Sequence, residues 1–117
     1  MTILGIDTSL RSTGYGVINA VGNKLNAVDY GTIKNGKTLA LSQCLKNISE
    51  KISSILNSYS PDVIAIESVI YGKNANTMLV LGEARGVIIA SAALRNIPVY
   101  EYEPRKMKRA VCGNAMA

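Results

Sequence analysis

A chain of 117 residues with 48% hydrophobic and 18% charged side chains has enough apolar material for one domain with its own core, and is too apolar for a disordered tail. Its 13 Lys+Arg against 8 Asp+Glu give a net charge of +5, which favours a polyanionic partner, nucleic acid first among them. Histidine is absent, which excludes Ser-His-Asp and Cys-His catalysis and His-ligated zinc, and leaves any chemistry to carboxylates, lysines and hydroxyls.

Thr2–Asp7 is a short apolar run bounded by the turn residues Thr8 to Thr13, and it reads as a buried strand. Gly14–Ala20 reads as a second strand. Val21-Gly22-Asn23-Lys24 supplies turn chemistry, and Leu25–Ile33 is a third strand with Gly31 weakening its interior. Connections this short favour antiparallel hairpins. From Thr38 to Tyr59 the period changes. Leu41, Cys44, Leu45, Ile48, Ile52, Ile55 and Leu56 recur at three-and-four spacing, with Lys46, Glu50 and Lys51 on the other side, which predicts an amphipathic helix packed on a sheet.

Ser60-Pro61-Asp62 stops that helix, and Val63–Glu67 is a fourth, buried strand. Val69–Asn74 reads as a loop. Asn76 or Thr77 is the expected cap of a second helix running to about Arg95. That helix is apolar over much of its circumference, and Gly82, Ala84, Gly86, Ala90, Ala92 and Ala93 allow close approach. Pro98–Tyr102 is a fifth strand, and Pro104 fits the first turn of a helix carrying Arg105, Lys106, Lys108 and Arg109. Cys44 and Cys112 lie far apart without metal-ligand spacing and read as reduced thiols, Cys44 at a core-facing helix position. No apolar stretch reaches the roughly 18 uncharged residues of a membrane span, and no signal pattern opens the chain, so a cytoplasmic protein is expected.

Two strands end in acids, Asp7 and Glu67. A carboxylate at the tip of a buried strand is costly unless it is paired, protonated or bound to a metal. Two such tips in neighbouring strands would form a divalent-cation site. The plainer readings are a turn-capping Asp7 and a surface Glu67. The order of three strands, helix, strand, helix, strand, helix requires parallel pairing across the helical crossovers. The expected fold is therefore α/β and ribonuclease H-like: a mixed five-stranded sheet, three antiparallel strands plus parallel crossover strands, flanked by helices.

On these residues the sequence resembles the RuvC family of Holliday-junction resolvases. The resemblance is carried by Ile3-Leu4-Gly5-Ile6-Asp7 with Gly14-Tyr15-Gly16-Val17-Ile18, and by Ala65-Ile66-Glu67-Ser68-Val69. Lys73-Asn74-Ala75-Asn76, Leu81-Gly82-Glu83-Ala84-Arg85-Gly86, Val99-Tyr100-Glu101-Tyr102, Pro104, Lys108, Val111, Gly113 and Asn114 continue it along the chain. It implies a Mg²⁺-dependent endonuclease resolving four-way DNA junctions in recombination and repair. Asp7 and Glu67 match the first two acids of the family's four-carboxylate cluster. That cluster holds two Mg²⁺ ions, with Mn²⁺ able to substitute.

The resemblance also implies DNA contacts by Lys108 within the basic patch of Arg105, Lys106 and Arg109, and by Lys73 and Asn74. Ile70 or Tyr71 stands where the family often has an aromatic wedge. Arg85 matches a family position and is equally expected to pair with helix neighbours. A homodimer through the second helix and a branch-migration helicase are the implied partners. The family's remaining acids lie on a C-terminal helix absent from these residues. The expectation is thus a single domain over 1–117 lacking that helix, with little activity alone. Glu101 and Glu103 are poor substitutes, better explained as exposed charges. Two alternatives stand beside this reading: a non-catalytic junction-binding remnant, and an actin-like or threonylcarbamoylation-type ATPase fold, whose first strand also ends Ile-Asp-Thr-Ser.

Overall fold

The computed structural model describes residues 1–68 and 74–102. In chain order these form β1 (Thr2–Asp7), β2 (Ser12–Val21), β3 (Lys24–Lys34), α1 (Leu41–Tyr59), β4 (Val63–Glu67), α2 (Ala75–Leu94) and β5 (Val99–Tyr102). The helix expected from Pro104 onward lies outside the described residues. The strands form one sheet in the order β3-β2-β1-β4-β5. β1/β2 and β2/β3 pair antiparallel, while β1/β4 and β4/β5 pair parallel. The mixed five-stranded sheet is the one the element order requires.

Strand alternation divides each strand between the two sheet faces. Leu4, Ile6, Val17, Ile33, Ile64 and Ile66 share one face and are buried there. Ile48, Ile52 and Leu56 of α1 and Ala84, Ile88 and Ala92 of α2 close over them. Both described helices thus cover the same face. Burying a side chain of this size contributes about 1.5–3 kcal/mol, so this single layer is the main source of the fold's stability. Cys44 is fully buried as its helix position demands, with its Sγ accepting from the Arg11 guanidinium at 3.0 Å.

The hairpin between β2 and β3 turns at Gly22, whose φ of 60° is a conformation other residues adopt only at a cost. Gly31 makes room for its neighbour. A Cβ there would lie 2.7 Å from the Tyr15 hydroxyl, and Tyr15 is its cross-strand partner. Tyr59 at the end of α1 donates to Asp29 Oδ2 at 2.7 Å, tying the helix to β3. Asp29 thereby holds the Tyr59 hydroxyl above its ordinary pKa.

Some strands differ from the sequence reading by a residue or two at their ends, β2 starting at Ser12 and β3 ending at Lys34, and both helix starts differ as well. α1 begins at Leu41, not Thr38, because residues 36–40 form a separate turn closed by Leu39 N–H donating to Gly36 O at 3.1 Å. α2 is capped by Asn74 and not by Asn76 or Thr77: Asn74 Oδ1 accepts from Thr77 N–H at 2.8 Å. An Asn placed three residues before that amide satisfies it directly. By length and composition α2 could cross a membrane. It carries Glu83 and Arg85, however, and packs Ala84, Ile88 and Ala92, all fully buried, against the sheet, while its other apolar residues are partly or wholly exposed.

Candidate nuclease site at the carboxyl edge of the sheet

β1, β4 and β5 run in the same direction, so their last residues, Asp7, Glu67 and Tyr102, reach the same edge. Ligand sites in open α/β sheets form outside the carboxyl ends of such strands. The pairing of Ile6 with Ile66 places Asp7 and Glu67 next in step on neighbouring strands. Because Ile6 and Ile66 face the helices, both acids face the opposite way. The sequence reading brought these two carboxylates together, and the register does so.

The local chemistry fits that geometry. Asp7 is exposed and Glu67 half-buried. The Glu67 carboxyl is pushed up to about 7, first by its partial burial, then by a hydrogen bond to Asp7 and repulsion from its charge. The turn that follows Asp7 is held by Thr13, whose hydroxyl accepts from Ser9 N–H at 3.3 Å and also donates to Ser9 O. Among the described residues Asp7 makes no capping hydrogen bond to that turn, so the plainer role considered for it has no support there. Two hard oxygen donors that repel each other suit a divalent cation such as Mg²⁺, which would relieve the repulsion. No third His, Cys, Asp or Glu joins them among the described residues.

The remaining expected site residues fall in three groups. Glu101 pairs across from Ile66 and so lies on the helix side, away from Glu67. There it meets Arg85 at 2.5 Å. Arg85 therefore bonds a strand residue and not its helix neighbours, a correction to that expectation, while Glu101 is an exposed charge, as expected, and is paired. Asn74 is engaged by its oxygen in the α2 cap, leaving its amide N–H groups for other partners. Ile70, Tyr71, Lys73, Glu103, Arg105, Lys106, Lys108 and Arg109 lie outside the described residues.

Tyr102 beside Glu67, and Ser12 and Lys34 at the far side of Asp7, share the acid-bearing end, and sequence reasoning did not single them out. Each is an ordinary strand-end residue in sequence. Only the cross-strand register gives it a neighbour of interest.

On α2 the small residues divide. Ala84 and Ala92 pack on the sheet, whereas Gly82, Gly86, Ala90 and Ala93 are exposed along one helical stripe with Leu79. Cβ atoms added at Gly82 or Gly86 would meet nothing within 4 Å. Close packing on the chain's own sheet accounts for Ala84 and does not account for the glycines.

A mixed sheet in this order, flanked by helices and with two acids side by side at the carboxyl ends of its central strands, is a ribonuclease H-like fold. The particular branch is clear from sequence. The chain belongs to the RuvC family, whose model, described as crossover junction endodeoxyribonuclease RuvC, matches residues 3–117. It is 42% identical to the RuvC of Alkaliphilus oremlandii and 43% identical to that of Petrotoga mobilis, in each case over 100% of this chain and 71% or 72% of the relative. The fold is that of T. thermophilus RuvC solved in complex with a Holliday junction substrate: TM-score 0.88, 24% identity, 97% of this chain and 69% of that one. The family consists of divalent-metal-dependent nucleases. Family membership over nearly the whole length disfavours the actin-like ATPase reading.

Proposed function

We propose that this protein cleaves four-way DNA junctions by Mg²⁺-dependent phosphodiester hydrolysis, with Asp7 and Glu67 as metal ligands in the catalytic centre. The single observation that carries this is the placement of the two acids next in step on the parallel neighbours β1 and β4. Mg²⁺ bound there would supply an activated water and neutralise charge on the leaving oxygen, with Asp7 and Glu67 as the residues that would hold it. Asp7 and Glu67 position that charge against the sheet edge. The half-buried Glu67 sheds its proton to do so, so metal affinity rises with pH up to about 7. Two carboxylates alone hold Mg²⁺ weakly, and the complete family site draws further acids from a C-terminal helix.

The exposed Leu79, Gly82, Gly86, Ala90 and Ala93 stripe supports a homodimer through α2. A two-fold dimer would present one acid pair to each of two like strands of a junction. The basic patch of Arg105, Lys106, Lys108 and Arg109 and the Ile70-Tyr71-Lys73 segment are proposed to hold and part the DNA. The cytoplasm is the proposed location. A branch-migration helicase stays a partner proposed from the resemblance, and among the described residues no surface is assigned to it.

Calorimetric titration with Mg²⁺ and Mn²⁺, alongside cleavage of a synthetic four-way junction, tests the reading. Metal binding abolished by Asp7→Asn supports an active centre. Junction binding with no dependence on metal in either protein would favour a non-catalytic junction-binding remnant.

A further inference from the structure

The acid-bearing face continues past Asp7 onto the edge strand. Asp7 pairs with Gly14, and Gly14 with Thr32, so the three share one row across β1, β2 and β3. Ser12 and Lys34 form the next pair along the same two strands. The residues between, Thr13 and Ile33, are buried under the helices, so Lys34 and Ser12 face the same way as Asp7. Lys34 stands two strands across and two residues along from Asp7, a diagonal of about 12 Å from ordinary strand spacings. Gly14, lacking a side chain, leaves the path between them low.

The segment that carries Lys34 is tied to the turn that follows Asp7. Asn35 is buried, donates through Nδ2 to Leu10 O at 2.8 Å and accepts from Asn47 Nδ2 at 2.9 Å. Its backbone N–H donates to Arg11 O at 2.9 Å. Arg11 in turn donates to Gly36 O at 2.6 Å and Leu39 O at 3.0 Å, closing the turn that holds Lys37. Lys34 and Lys37 are both exposed, and neither forms an ion pair among the described residues. Two free cations are thus displayed from a backbone clamped, on both sides of Asn35, to the Asp7 turn.

We infer that Lys34 and Lys37 form a phosphate-binding edge that grips the DNA backbone on the β3 side of the acid pair. This rests on the reading of Asp7 and Glu67 as the cleavage site. The ligand is the sugar-phosphate backbone, with no base read. Because the clamp fixes the backbone that carries these lysines, only their side chains need ordering on binding.

The test is junction affinity against salt, measured by fluorescence anisotropy of a labelled four-way junction without divalent metal. Lys34→Gln and Lys37→Gln should each lower the slope of log K against log salt by about 0.9. Lys34→Arg should restore it, and Lys51→Gln on the exposed side of α1 should leave it unchanged. A wild-type protein that binds no junction overturns the functional reading itself. If wild type binds while Lys34→Gln and Lys37→Gln keep its slope, or shift it no more than Lys51→Gln does, the phosphate edge alone is overturned.

Discussion

The two faces of the sheet are built from alternate residues of the same strands, yet they serve opposite ends. In β1 and β4, Leu4, Ile6, Ile64 and Ile66 are fully buried against α1 and α2. Their immediate neighbours Asp7 and Glu67 stand on the other face, partly in water and at cost to each other. One parity holds the fold together, and the other bears the charge it must hold in place. A rigid helix-packed face is what permits two repelling acids to stay side by side, because the register that pairs them is fixed by the buried residues between. Stability and chemistry should therefore separate by parity.

The largest effect expected is on the packed face. Ile66→Ala removes a fully buried side chain and should cost about 2–5 kcal/mol in denaturant unfolding. One residue on, Glu67→Gln should do the reverse: cleavage of a four-way junction falls to near background, while metal-free stability holds or rises by about 0.2–1 kcal/mol as like charges are relieved. A loss of stability as large as that of Ile66→Ala would break the comparison.

α2 offers the same contrast between its two sides. Ala84→Leu overfills the buried side and should cost about 1–3 kcal/mol. Gly86→Leu points into open space and replaces a poor helix former, so it should leave the monomer's stability unchanged or raise it by up to about 1 kcal/mol, while shifting the proposed dimer towards monomer in sedimentation.

The smallest effect is on pH. The folded Glu67 keeps its proton up to about 7, whereas an unfolded glutamate releases it near its ordinary 4.5. Between those values the folded state binds more protons than the unfolded state. Metal-free stability should therefore fall modestly as pH rises through that window. Thermal unfolding across it should show the slope in the wild type and its loss in Glu67→Gln.

Much of this was legible in the chain because it is written in local periodicity. β-branched runs ending in Asp7 and Glu67, a three-and-four repeat from Leu41 to Leu56, and glycine turn chemistry at Gly22 each depend on a few consecutive residues. The RuvC resemblance added what spacing could not, the junction and the metal. What was misread depended on partners distant in sequence: the acceptor beneath Arg85 is Glu101, 16 residues on. The cap of α2 was missed for a nearer reason, since Asn74, Asn76 and Thr77 are all competent caps and only the backbone path selects one.

The sequence by itself determined that two acids would end two buried strands and that the chain carries a net positive charge. The tertiary structure alone decided that these acids are neighbours, that Glu101 meets Arg85, that the α2 glycines face outward, and that Lys34 shares the face of Asp7. Hydrophobic periodicity is a property of one segment, so it can be read from one segment. Register and face are set only when β3, β2, β1, β4 and β5 pair, and that pairing is fixed by the core they bury together.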